Sequence, residues 1–199
     1  MNKTEKSKSG LLFVVSAPTG GGKSTLVTKA LPILQKQFAI SRIVTYTTRE
    51  QRPGEIHGQD YHFVTKAEFF ARQNADFFAE TTQYHNHLYG SPKDFLPMLS
   101  EGKSFIAITD RAGVAFYKKL CPNAICIWIT PPSLEVLAKR LTARGSESPD
   151  SLKHRLQLAE AEMISEQQIP LCSNYIVNDD IGSAVAALVE MISTAINKS

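Results

Sequence analysis

Ala17-Pro18-Thr19-Gly20-Gly21-Gly22-Lys23-Ser24, with Thr25 following, decides how the rest of this 199-residue chain is read. Before it stands Leu11-Leu12-Phe13-Val14-Val15, a short apolar run suited to a buried strand. After it, Leu26 to Leu31 can continue as a helix, which Pro32 is expected to bend or interrupt. Strand, glycine-rich turn, Lys-Ser and helix together form the context of a phosphate-binding P-loop. Consecutive glycines let backbone N–H groups approach phosphate oxygens with no Cβ in the way. The helix N-terminus adds a partial positive charge, Lys23 a full one, and the Ser24 hydroxyl can ligate Mg²⁺. Ala17 stands where such loops carry their first glycine.

Outward from this loop the chain alternates strands and helices. Ile40 to Thr47 is β-branched and aromatic and reads as a second strand, running into the basic, turn-rich Thr48 to Glu55. Tyr61 to Val64 reads as a short strand. Thr65-Lys66-Ala67-Glu68 is a capping box opening a helix to about Gln73. Phe77 to Thr81 and Asn86 to Gly90 form two further short strands, so a small mixed lobe is inserted on the main sheet. Ser91-Pro92 suits the start of a helix that stops at Gly102. Phe105 to Asp110 and Ala124 to Ile129 read as buried strands separated by a helix over about Ala112 to Leu120. Ser133 caps a helix from Leu134 to about Ala143. Arg144 to Asp150 reads as a mobile loop, and Leu152, Leu156, Ala159 and Met163 mark one face of the next helix. Tyr175 to Val177 is a last strand before Asn178, and a final helix runs from about Gly182 to Asn197. The fold class is α/β: a P-loop core with a parallel sheet flanked by helices, a small inserted mixed lobe and a helical lid. Ligands of such sheets collect at the carboxyl ends of the strands, where Ser16 to Ser24, Arg49, Arg52, Asp110 and Asn178 fall.

Composition excludes several classes. With 22 Lys and Arg against 19 Asp and Glu the net charge is +3, which argues for neither bulk nucleic-acid nor membrane binding. No segment approaches the ~18 consecutive apolar residues of a membrane span. Residues 1–10 form a polar tail without an apolar segment behind it, expected to be disordered and not a secretory signal. Cys121, Cys126 and Cys172 are an odd set without a C-x-x-C pair, which suits reduced thiols in the cytoplasm. His57, His62, His85, His87 and His154 have no metal-ligand spacing with them.

Arg49 and Arg52, three apart beyond a strand, suit bidentate recognition of a phosphate or carboxylate, or form a solvated basic loop. Arg140 and Arg144 project from one helix face and Arg155 lies across the loop. Three arginines opposite a P-loop fit phosphoryl transfer, and equally fit surface pairing with Glu135 or Glu147. Asp110 can hold Mg²⁺ through water. Glu80, Tyr61, Tyr89 and Ser91 in the lobe suit a base edge and a phosphate, although each alone is more often structural.

In this order and spacing the chain resembles guanylate kinase over essentially its whole folded length. The resemblance rests on Ser16 to Thr25, Thr47-Thr48-Arg49, Arg52 to Glu55, Gly58 to Tyr61, Tyr89-Gly90, Pro131 to Ser133, Arg140-Leu141, Arg144-Gly145 and Val177 to Asp180. It implies transfer of the γ-phosphoryl group of ATP to GMP with Mg²⁺. Ala17, Pro18, Thr19, Gly20, Gly21, Gly22, Lys23, Ser24 and Thr25 would then hold the ATP phosphates. Arg49, Arg52, Tyr61 and Tyr89 would clamp the GMP phosphate. Glu80 would accept from guanine, with Thr45 and Ser91 completing that pocket. Arg140, Arg144 and Arg155 would close over the transferring group with Lys23, and Asn178 and Arg144 would lie near adenine. Ser24 and, through water, Asp110 would serve the metal. The core would span about 11–44, 92–143 and 170–199, the GMP lobe about 45–91 and the lid about 144–169. The implied partners are ATP and GMP alone, in the cytoplasm; both a monomer and a homo-oligomer are compatible with it.

The chain departs from that pattern in three places. The family's strand commonly ends Asp-Ile-Asp, where this chain has Ile108-Thr109-Asp110, so a guanine acceptor is replaced by an apolar residue. Thr45 replaces a commoner Ser, and Arg111-Ala112 a hydrophobic-Gln pair. Two other readings compete: an inactive binding domain of the same fold, opposed by the intact Lys23, Ser24 and lid arginines, and a phosphosugar kinase, opposed by Glu80, Tyr61, Tyr89, Arg49 and Arg52.

Overall fold

A computed structural model describes residues 9–84, 86–143 and 149–199. Strand β1 (Leu12–Ser16) is wholly buried at the centre of a parallel sheet. Its partners are β7 (Ser104–Ile108) and β8 (Ile125–Thr130), with β2 (Ile40–Arg42) and β9 (Asn174–Val177) at the edges. The apolar runs of β1, β7 and β8 reflect burial on both faces of the sheet. The two-residue period sorts β1 cleanly. Phe13 and Val15 face α1 (Lys23–Leu34) and α7 (Ile181–Lys198), while Leu12 and Val14 pack with Phe95, Phe105, Tyr117 and Trp128 beneath α3 (Phe95–Ser100) and α4 (Arg111–Leu120). On the inner side, α1 contributes Leu26, Val27, Ala30 and Leu34, and α7 contributes Ala184, Val185, Leu188 and Ile192, each set at helical spacing. A third cluster joins α5 (Leu134–Ala143) to α6 (Pro149–Gln168) through Leu137, Leu141 and Ala159.

The inserted segment forms its own four-stranded sheet, ordered β4 (His62–Phe63), β3 (Tyr46–Thr47), β6 (His87–Pro92), β5 (Phe78–Tyr84), with α2 (Lys66–Asn74) beside it. The β3–β4 pair is parallel and the others antiparallel. Thr65 caps α2 as expected, accepting from Glu68 N–H while the Glu68 carboxylate accepts from Thr65 N–H.

Four expectations are corrected. Ile40 to Thr47 is two strands, because the chain leaves the core sheet after Ile43 N–H donates to Ile106 O and enters the lobe, where Thr45 O accepts from His62 N–H. Ser91-Pro92 ends β6 and opens no helix; α3 begins at Phe95, and Ser91 is buried with its hydroxyl committed elsewhere. Pro32 lies inside α1, which continues to Leu34, so the proline falls in the last turn and does not end the helix. Asp110 does not end β7 but N-caps α4, accepting from Gly113 N–H at 2.8 Å. The expected loop after Ala143 lies outside the described residues over 144–148, and α6 already begins at Pro149.

Candidate functional site

The loop after β1 is held from three sides. Gly20 (φ +83°) packs so closely on α5 that a Cβ there would lie 2.8 Å from Leu141 Cδ2. Gly22 (φ +94°) ends the loop, and its missing Cβ leaves room for Asn178, whose Nδ2 donates to Gly21 O at 3.0 Å. Thr19 N–H donates to Glu162 Oε2 of α6 at 2.8 Å. Helix α1 starts at Lys23 with no side-chain cap hydrogen bond from Gly22 and no acidic residue in its first turn, an N-terminus whose dipole favours an anion. Lys23 Nζ lies 3.5 Å from Ala17 O, curled over the loop. Asn178 is 3% exposed, and its Oδ1 has no hydrogen-bond partner among the described residues.

Facing this cradle is the lobe. Arg49, nearly buried, donates from Nη2 to Glu55 Oε1 and Oε2 at 2.7 and 2.9 Å and from Nη1 to Glu50 O at 2.6 Å. Its guanidinium lies 5.3 Å from the Tyr61 ring centre. Burial works against the charge, but the hydrogen bond and charge of Glu55 outweigh it and hold Arg49 above its ordinary pKa. Glu55 also accepts from Arg52 N–H at 2.9 Å. One carboxylate thus shapes the turn that presents both arginines. Tyr61 and Tyr89 meet edge to face at 6.0 Å, and burial raises the Tyr61 pKa.

Deeper in, Ser91 Oγ donates to Glu80 Oε1 at 3.1 Å. Burial pushes Glu80 up to about 7; the Ser91 hydrogen bond opposes that and the nearby Asp110 charge adds to it. Ile108, Thr109 and Thr45 line the same region.

A single cavity of about 1110 Å³ joins the two ends. Its wall contains Thr19 to Thr25 on one side and Thr45, Arg49, Arg52, Tyr61, Glu80 and Tyr89 on the other, with Asp110 between them and Arg155 and Glu162 from α6. Ala17 and Pro18 stand behind the loop and Ser91 behind Glu80, outside this lining. Arg140 donates from Nη2 to Asp179 O at 3.1 Å and is not part of the lining; its Nη1 is buried without a partner among the described residues. Arg144 lies outside the described residues.

Sequence reasoning gave no role to Glu55 or Glu162. Glu55 stands in the Pro-Gly-Glu turn three residues after Arg52, a spacing that could have signalled it. Glu162 lies seven residues after Arg155, on the same face of α6. Arg111, whose substitution had no visible consequence in sequence, donates from Nε to Glu166 Oε2 at 3.0 Å and from Nη2 to the Ser165 and Ile169 carbonyls. Glu166, 2% exposed, also accepts from Leu171 and Cys172 N–H and from the Tyr175 hydroxyl. The C-terminal end of α6 is therefore pinned to the core.

The family model for guanylate kinase matches residues 9–195. A guanylate kinase of Dechloromonas aromatica is 38% identical over 177 residues, covering 88% of this chain and 85% of that one. One from Clostridium perfringens is 40% identical over 186 residues, covering 93% and 83%. Among solved structures, guanylate kinase from Anaplasma phagocytophilum superposes with a TM-score of 0.77 at 26% identity, covering 95% of this chain and 87% of that one.

Proposed function

The chain belongs to the guanylate kinase family, and from that premise we propose how its own residues divide the transfer of phosphate from ATP to GMP. The reaction is ATP + GMP → ADP + GDP. An oxygen of the GMP phosphate attacks the γ-phosphorus as the bond to the β–γ bridging oxygen breaks, and both changes proceed with little covalent help from the protein. What the residues supply is placement and positive charge.

The loop residues Gly20 to Thr25 hold the ATP phosphates on their amides and on Lys23, with Asn178 bracing Gly21 O from behind the loop. Arg49, Arg52, Tyr61 and Tyr89 clamp the GMP phosphate, with Glu55 holding the first arginine in place. Glu80 accepts from the guanine N1–H and amino group, supported by Ser91 and Thr45. Arg155 approaches the transferring group from α6, with Arg140 and Arg144 completing the positive frame. The lobe, about 45–91, and the lid, about 144–169, close on the substrates and exclude water.

Mg²⁺ fits the donor set. Ser24 and Asp110 share the cavity and would hold the ion, Ser24 directly and Asp110 through water. A hydroxyl and a carboxylate suit an ion that keeps several waters and binds mainly through phosphates. When bound it supplies charge neutralisation on the ATP oxygens. No helix among the described residues is long and apolar enough to cross a membrane. The cytoplasm, where free thiols such as those of Cys121, Cys126 and Cys172 persist, is the compartment we propose.

The observation that carries this reading is the one cavity shared by a phosphate cradle and a carboxylate-and-arginine pocket. A coupled ADP-release assay with ATP and Mg²⁺, offering GMP, AMP, CMP, UMP and IMP in parallel, tests it. Turnover is expected with GMP; protein that binds ATP but leaves GMP untouched would refute the assignment. Turnover with IMP comparable to GMP would identify Ile108 as the point where base selection is relaxed.

A further inference from the structure

Glu162 has no part in the mechanism above, yet its side chain joins α6 to the loop after β1. Its Oε2 accepts the Thr19 amide at 2.8 Å, and its side chain lines the cavity beside Lys23, Ser24 and Arg155. Thr19 itself is buried. The next residue, Gly20, packs on Leu137 and Leu141 of α5, and those leucines in turn enclose Ala159, one turn before Glu162. One turn after it, Glu166 is fixed to Arg111 and to the backbone entering β9. The C-terminal half of α6 is thus anchored twice: at Glu166 to the core and at Glu162 to the loop. Arg155 lies seven residues before Glu162, two turns up the same face.

Resting on the reading of the site given above, we propose that Glu162 is a positioning residue for phosphoryl transfer. By holding the Thr19 amide it fixes the base of α6 against the P-loop, so that Arg155 meets the phosphates cradled there. An arginine carried on a helix misplaced by about 1 Å loses on the order of a hundredfold in rate. The acceptor oxygen is what the tether requires, and a glutamine supplies one at the same reach.

The test is steady-state kinetics of Glu162→Ala and Glu162→Gln, alone and combined with Arg155→Ala. Glu162→Ala is expected to lower kcat/KM for ATP by roughly 10- to 100-fold with KM for GMP changed less than about twofold, and Glu162→Gln to recover within about threefold of wild type. In the Arg155→Ala background the same Glu162→Ala change should cost less than about threefold, because the residue acts through that arginine. Wild-type kinetics in Glu162→Ala, equal damage in Glu162→Gln, or full additivity with Arg155→Ala would each overturn the proposal. Should Glu162→Ala not fold by circular dichroism, Glu162→Asp, which withdraws the oxygen by one methylene, carries the same expectation and the same refutation. Failure of the wild-type protein to phosphorylate GMP would instead strike the functional reading beneath it.

Discussion

Lowering the pH from 8 to 6 is expected to weaken GMP capture, and Glu80 sets the size of the loss. Its carboxyl is pushed up to about 7, foremost by burial, with Ser91 opposing and Asp110 adding. Guanine offers donors at N1 and the amino group, so it needs the ionised form; a protonated carboxyl presents a hydrogen to a hydrogen. Roughly nine-tenths of the sites are competent at pH 8 and one-tenth at pH 6, so the KM for GMP should rise roughly tenfold across that interval. The GMP phosphate takes its own second proton near pH ~6. The profile is therefore recorded beside Glu80→Gln, which binds GMP less tightly but retains only the phosphate component, and the ratio of the two profiles isolates Glu80.

Stability carries the same signature with a definite sign. The folded pKa lies above the ordinary 4.5, so the native state binds this proton more tightly than the unfolded chain. The associated stability is whole below about pH 4.5 and is lost as pH rises through about 7, amounting to about 3 kcal/mol by pH 8. Glu80→Gln should accordingly gain up to about 3 kcal/mol over wild type in urea melts at pH 8 and almost nothing at pH 4.5. Parallel KM profiles in the two proteins, or melts that track one another at both pH values, would refute the assignment of this carboxylate.

Two further outcomes are expected. Glu55→Gln weakens a charge-assisted contact on Arg49 worth about 1.5–3 kcal/mol and should raise the KM for GMP roughly ten- to hundredfold at little cost in kcat; an unchanged KM would mean Arg49 is held without it. Arg111→Ala leaves the Glu166 carboxylate buried with only its neutral donors, at a cost of about 3 kcal/mol, and a thermal melt should fall by roughly 6–12 °C. A midpoint within a degree of wild type would show that the pair contributes nothing net.

The core was legible because β1, β7 and β8 are buried on both faces and so read as unbroken apolar runs. The turn between β1 and α1 was legible because its three glycines and Lys23-Ser24 are consecutive in the chain. Ser91-Pro92 misled because a serine-proline pair signals a helix start only by local propensity, whereas here the Ser91 hydroxyl is claimed by Glu80 across the sheet. Ile40 to Thr47 misled because β-propensity does not say which sheet a residue joins. Glu162 left no local trace, since its partner Thr19 lies 143 residues away. The ion pair of Arg111 with Glu166 likewise spans 55 residues and exists only once α6 has packed on the core.

The position of β1 also constrains the order in which the chain can fold. Its strand partners arrive late: Leu12 pairs with Phe105 and Phe13 with Ile125, so β1 can be sandwiched only after most of the chain has been synthesised. The β5–β6 hairpin pairs Tyr84 with His87 and closes on microsecond timescales, with little loop entropy to overcome. On a ribosome the lobe can therefore condense while the apolar β1 still waits exposed, a species prone to self-association. Refolding should show an early, lobe-centred phase followed by a slower step that assembles the parallel sheet, with the phosphate loop formed in the second.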